Sequence, residues 1–319
     1  MKRAFATLVA TLAFAASAFA AYPDKTVTVI VPFPPGGSTD AIARVLTNKL
    51  PEKIGGTWVI DNKAGATGTI GAALVKRAPP DGYTLFVSSL GPFVIAPHLY
   101  KGVQYDALKD FDPISVLVQA PNVLCVPANS PIKNVGDMLA ALKKNPGKVS
   151  FASSGAGSSD HLSAELFWQQ TGTQGLHIPY KGGGPAITDL MGGQVDAAFV
   201  NINSIIGQIK AGKVRAIGVS SEKRNPLIPD VPTLQEQGVK GAEVESWQAI
   251  AGPKGMPADI KEKLYKAIAE ILNDPSVKPM LLAQGFEIVA SSPEQFAKFQ
   301  AVEYARWKNL IEARHITIQ

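Results

Sequence analysis

Three stretches of this chain combine glycine, hydroxyl and acidic residues in a pattern that suits anion binding. They are Val31-Pro-Phe-Pro-Pro-Gly-Gly-Ser-Thr-Asp40, Phe151-Ala-Ser-Ser-Gly-Ala-Gly-Ser-Ser-Asp-His161 and Pro179-Tyr-Lys-Gly-Gly-Gly-Pro-Ala186. Glycine lets a backbone approach a ligand closely and turn successive N–H groups outward. A helix that starts at such a turn leaves its first N–H groups unpaired and carries partial positive charge there. The turn can then hold a carboxylate or phosphate without a charged side chain. Ser38, Thr39, Ser158 and Ser159 add hydroxyl donors, and Pro185 suits the first turn of a helix. One such turn alone reads as an ordinary strand-to-helix connection with an N-cap; three point to a site. Asp40 and Asp160 either meet a ligand or favour the positive helix ends, and Lys181 either attracts an anion or is simply solvated.

Other chemistries find little support. There is no G-x-S-x-G elbow and no H-E-x-x-H. Ser130-Pro-Ile-Lys133 matches S-x-x-K but lacks the companion motifs, and Gly65, Gly68 and Gly71 are wrongly spaced for a dinucleotide fingerprint. The four histidines, His98, His161, His177 and His315, show no close pairing along the chain; only His161 stands at a candidate turn. The single cysteine, Cys125, lies in an apolar run and reads as buried and structural. No Cys/His cluster suggests a metal, so neither a metal, a cofactor nor a catalytic residue is expected. The net charge is +5, of which Lys2 and Arg3 supply two, and no run of like charges marks a nucleic-acid surface.

The elements that must position the turns are legible from periodicity. Val27–Val31, Trp58–Ile60 and Tyr83–Val87 read as strands, separated by helical spacing in Ile42, Val45, Leu46 and Leu50 and again around Ala72–Val75. The alternation restarts at Val123–Val126 and continues through Val149–Ala152, His177–Tyr180, Val195–Val200 and Val214–Val219. This pattern predicts an α/β protein of two doubly wound lobes rather than one long sheet, with the turns at the carboxyl ends of strands, where open sheets collect ligands. A further strand is expected over Val244–Ala251, with helices around Ile260–Leu272 and Pro293–Ala313. Residues 1–20 combine a basic start, an apolar stretch and Ala18-Phe19-Ala20, which reads as a secretory signal peptide. The expected division is a leader over 1–20, lobe 1 over 21–121, lobe 2 over 122–227, and a segment over 228–319 that returns mostly to lobe 1.

At these turns the chain resembles the Bug/TctC-type periplasmic solute-binding proteins of tripartite tricarboxylate transporters. The resemblance rests on Pro32–Asp40, Pro79-Pro-Asp-Gly-Tyr-Thr-Leu85, Gly155–Leu162, Pro179–Pro185, Gly192-Gly-Gln-Val-Asp196, Leu227–Thr233, Ser246-Trp247 and Gly252-Pro-Lys-Gly-Met-Pro257, in that order. It implies a type II-like periplasmic-binding-protein fold whose lobes close on a small organic carboxylate. The implied ligand-binding residues are Phe33, Gly36, Gly37, Ser38, Thr39, Asp40 and Ser88 from one lobe. From the other they are Gly155, Gly157, Ser158, His161, Tyr180, Lys181, Gly182 and Asn201. The implied role is delivery to membrane permease subunits by a periplasmic monomer. A sensor presenting the closed lobes to a signalling receptor, or an exported enzyme using Asp40, His161 or Lys181 on a small carboxylate, are the alternatives. Val200, Pro92, Ala96 and Asn203 depart from the family pattern. If they line the cleft, with Phe93 as a further wall, an aromatic or aliphatic carboxylate is favoured over a tricarboxylate or amino acid.

Overall fold

The structure is a computed structural model and describes residues 22–317; the expected leader lies outside the described residues. In the first half, β1 (Val27–Val31) leads through α1 (Ser38–Ile54) to β2 (Trp58–Asn62), and α2 (Thr69–Lys76) to β3 (Thr84–Ser89). A π-helical turn, Gly91–Ile95, and the short α3 (Ala96–Leu99) precede β4 (Phe111–Pro127). β1 pairs in parallel with both β2 and β3. In the second half, α4 (Val135–Lys144), β5 (Ser150–Ser153), α5 (Ser159–Thr171), β6 (Leu176–Pro179), α6 (Gly183–Met191), β7 (Ala197–Asn201), α7 (Ile202–Lys210) and β8 (Val214–Val219) follow. Here β5 pairs in parallel with β6 and β7. The chain then returns through β9 (Glu245–Pro253), α8 (Ala258–Asn273), α9 (Lys278–Ala283), β10 (Glu287–Ile288) and α10 (Pro293–Ala313).

β4 and β9 are where the structure departs from a purely parallel reading. β9 runs antiparallel between β3 and β4, with Ser89 opposite Gln248 and Pro121 opposite Glu245. β4 is 17 residues long and changes partner midway: Phe111–Pro121 pairs with β9, then Asn122–Cys125 pairs with β7 and Val123–Pro127 with β8. The two wound halves therefore share one strand of a continuous sheet, ordered β2-β1-β3-β9-β4-β7-β5-β6. β4 can do this because nearly every residue in it is buried on one face or the other. Beside the change of partner, Ser220 ties three crossing segments together. Its N–H donates to Asn122 O, its Oγ accepts from Asn122 N and donates to Val244 O, and its carbonyl accepts from Val244 N.

Both C-terminal helices pack on first-half elements. Leu264 and Ile268 of α8 join Ile42 and Leu46 of α1 in one core cluster. Phe296 and Trp307 of α10 join Phe86, Phe93 and Trp247 in another, where Phe93 stacks on Trp247 at 5.8 Å between ring centres. Burying each such aromatic is worth roughly 1.5–3 kcal/mol. Cys125 is fully buried in β4, and burial pushes its thiol pKa up, as a structural cysteine requires.

Candidate functional site

Strand direction places the three glycine-rich turns around one region. β4 runs the same way as β1 and β3, because the antiparallel β9 stands between β3 and β4. The parallel set β5, β6 and β7 runs opposite to β4. The carboxyl ends of β1 and β3 in one half, and of β5, β6 and β7 in the other, thus both point to the level of residues 118–122 of β4. Ligands of open α/β sheets bind at such strand ends.

In the first turn, Gly36 has φ +91° and Gly37 caps α1 in extended conformation, with no side-chain capping bond. The first N–H groups of α1 are left for an external acceptor. Asp40 turns inward instead. It is 2 % exposed and accepts from Gly36 N at 2.9 Å, Arg44 Nε at 2.8 Å and Asn62 Nδ2 at 3.1 Å. Burial works to raise its carboxyl pKa, but the bonds from Arg44, Gly36 and Asn62 outweigh it and hold the pKa below the ordinary carboxylate value. Asn62 also donates to Phe33 O. Through these bonds Asp40 braces the turn. Thr39 is buried beside it, and Ser38 Oγ lies 3.5 Å from Gln248 Nε2.

The second and third turns are joined: Tyr180 N donates to Ser153 O and Gly182 N to Ser154 O. Gly182 (φ +112°) caps α6 without a side-chain bond, so the amides at the start of this helix are open as well. The side chains around them are again turned to the protein. Ser158 Oγ donates to Gly155 O at 2.5 Å and accepts from His161 N, so its proton is not free for a carboxylate. Asp160 accepts from Ser154 N and Oγ. Tyr180 OH donates to Asp189 at 2.6 Å, a bond that, with burial, pushes the phenol pKa up to about 12. His161 accepts from Gly157 N through Nδ1. Lys181 is exposed. A Cβ on Gly157 would stand 2.6 Å from Leu99 and 3.7 Å from Ile95, so this turn abuts the first half.

The histidines are not isolated, as the sequence suggested: His161 and His177 stack at 3.7 Å between ring centres. Burial, and then the neighbouring His161, push the His177 pKa down to about 4. Residues 16 apart in sequence meet because β5 brings β6 beside α5. Ser88 is fully buried on the β3 face shared with Phe86, opposite the face that carries α1. On the α1 side stand Ser89 and its register partner Gln248, which sequence reasoning missed. Gln248 is 1 % exposed, and its Oε1 has no protein partner among the described residues. A lone glutamine in the apolar run Trp247–Ala251 was the available signal. Asn201 caps α7 with its Oδ1 on Asn203 N, while its Nδ2 is unpartnered among the described residues. Phe93 and Val200 lie in core clusters, and Ala96 is fully buried. Asn203 donates through Nδ2 to Gln284 O, joining α7 to the end of α9.

The comparisons agree with this geometry. Residues 42–316 match the family model for the tripartite tricarboxylate transporter family receptor. The chain is 38 % identical over 291 residues to protein BugT of Bordetella pertussis, covering 91 % of this chain and 89 % of that one. Rpa4515 of R. palustris, solved with adipate, superposes with a TM-score of 0.85 at 34 % identity over 93 % of this chain and 99 % of that one. MatC of Rhodopseudomonas palustris, with bound malate, gives 0.82 at 32 % identity over 91 % and 100 %. The continuous identity and the two wound halves meeting at β4 lead to one conclusion: the chain belongs to the tripartite tricarboxylate transporter receptors, the Bug/TctC-type solute-binding proteins, and has their two-lobed periplasmic-binding-protein fold.

Proposed function

We propose that this protein captures a small organic carboxylate between its halves in the periplasm and delivers it, as a monomer, to the permease subunits of a tripartite tricarboxylate-type transporter. The observation that carries the reading is the pair of helix starts left without side-chain caps, α1 after Gly36-Gly37 and α6 after Gly182. Both stand at strand ends directed to the same stretch of β4. Open amides at a helix start favour an anion through hydrogen bonding and the helix dipole together. In this reading the amides of Ser38, Thr39, Gly183 and Gly184 hold carboxylate oxygens, and Gln248 and Asn201 add polar groups at the floor. Gly155, Gly157 and Ser158 shape the wall by their backbone. The lobes divide near residues 121 and 227, and hinge where Ala120–Asn122, Ser220–Ser221 and Val244–Glu245 cross.

The work of such a site is closure rather than bond breaking. Of the groups an enzyme would use, Asp40 has its carboxylate engaged by Gly36, Arg44 and Asn62, His161 has Nδ1 engaged by Gly157, and Lys181 is exposed without a base beside it in the hydrogen bonds of the described residues. The test is a thermal-shift and calorimetric screen of residues 21–319, stripped by unfolding and refolding, against adipate, malate, citrate, benzoate and glutamate. A ligand at 100 times its Kd adds about 2.7 kcal/mol of stability. A saturable shift with one acid and no turnover of it is expected. Turnover of the bound acid, or no response to any acid together with no small molecule released from the unstripped protein, overturns the proposal.

A further inference from the structure

His161 lies behind the second turn rather than in front of it. Its ring is 4 % exposed, and Nδ1 accepts the Gly157 N–H at 3.1 Å. That bond needs an unprotonated Nδ1, so the ring proton sits on Nε2. Nε2 points to Glu165, whose Oε1 is 3.7 Å away, an electrostatic contact longer than a hydrogen bond. The other carboxylate oxygen of Glu165 accepts from Arg314 Nε at 2.8 Å, and Arg314 Nη2 also donates to Gln174 Oε1 at 2.6 Å. Burial works to raise the Glu165 pKa, but the contacts from His161 and Arg314 outweigh it and keep the carboxylate ionised. One face of the His161 ring is covered by His177, whose Nε2 stands 2.6 Å from Ser153 Oγ; Ser153 in turn bonds the backbone of Gly155. Both glycines of the turn are thus held from behind by side chains.

Arg314 is the C-cap of α10, the helix that packs on the first half through Phe296 and Trp307. A chain of contacts runs from α10 through Arg314, Glu165 and His161 to Gly157, and Gly157 meets Leu99 and Ile95 of the first half. We propose that His161, oriented by Glu165 and Arg314, is a positioning residue that sets the conformation of the second turn and couples it to α10, without touching the ligand. The consequence for binding rests on the carboxylate-capture reading above; the positioning itself does not.

The test uses the mature chain with His161→Asn, His161→Gln and Arg314→Gln. The Asn Oδ1 takes about the place of Nδ1 and can still accept from Gly157, whereas the Gln Oε1 takes about the place of Nε2. The first readout is hydrogen exchange of the Gly157 amide by NMR, without ligand. Exchange in His161→Gln should speed by about tenfold or more, with His161→Asn staying within about threefold of wild type and Arg314→Gln between them. The second readout is the Kd for adipate and malate, which should follow the same order. Equal exchange in the Asn and Gln variants overturns the proposal, as does unchanged exchange in all three. Should the Gln variant not fold, Arg314→Gln decides alone: unchanged exchange of Gly157 refutes the coupling. A wild type that binds neither these acids nor any other of the panel above sinks the carboxylate reading, while the exchange ranking still decides the positioning role.

Discussion

Replacing Asp40 separates a brace from a ligand contact. Asp40→Ala removes the acceptor of Gly36 N, Asn62 Nδ2 and two nitrogens of Arg44. Arg44 is about half exposed and regains water, so its share is under about 1 kcal/mol. Gly36 is exposed and Asn62 half-buried, so each donor that loses Asp40 costs about 1 kcal/mol or less, and a carboxylate in the first turn of a helix adds about 0.5 kcal/mol through the helix dipole. Together these put the loss at about 2–3 kcal/mol, or a Tm lowered by roughly 4–8 °C for a chain of this size. Asp40→Asn keeps one carbonyl acceptor and should lose about half as much. The pH dependence has a definite sign. The folded pKa is depressed, so the stability is present above the unfolded value of about 3.9 and is lost as pH falls through the folded value. The gap between wild type and Asp40→Asn should therefore be full at pH 6 and close in strong acid. Differential scanning calorimetry across pH, with adipate titrations alongside, measures all of this. An Asp40→Asn protein that melts within about 1 °C of wild type but no longer binds any carboxylate would refute the reasoning and return Asp40 to the ligand.

Other outcomes follow from the same geometry. Ser158→Ala removes the α5 N-cap and should cost about 1 kcal/mol of stability, read by denaturant unfolding. Glu245, at the start of β9, is pushed up to about 8 by burial, Glu287 and Glu222. Its raised pKa means that stability is greatest below the unfolded value of about 4.3 and is lost as pH rises toward 8. Glu245→Gln should therefore raise the Tm at pH 8, with a gain that shrinks toward pH 4; an equal gain at both would contradict this. Gly157→Ala strains a φ of +78° and presses on Leu99, so it should weaken ligand binding about tenfold while costing only about 1 kcal/mol of stability. Cys125 should resist thiol reagents until the chain unfolds, because burial keeps it protonated and out of reach.

Much of the fold was legible because its signals are local. Helical spacing in Ile42, Leu46 and Leu50, strand runs such as Val27–Val31, and the glycine turns between them need only the chain's own period and φ preferences. The ordered motifs likewise marked the family. The antiparallel course of β9 and the shared β4 were not legible, because an apolar run carries no sign of which strand it will lie beside.

Local signals in the chain were enough to place three glycine-rich turns between strand ends and helix starts, with amides that suit an anion. Which polar side chains are engaged by the protein itself depends on contacts made in three dimensions. Asp40 faces inward because Asn62 and Gly36 converge on it, and Ser158 closes on Gly155. His161 turns back to Gly157 between His177 and Glu165. Gln248 stands on the α1 side of the sheet through its register with Ser89. A side chain's direction is fixed by partners brought from elsewhere in the chain, and composition or spacing does not encode those partners in readable form.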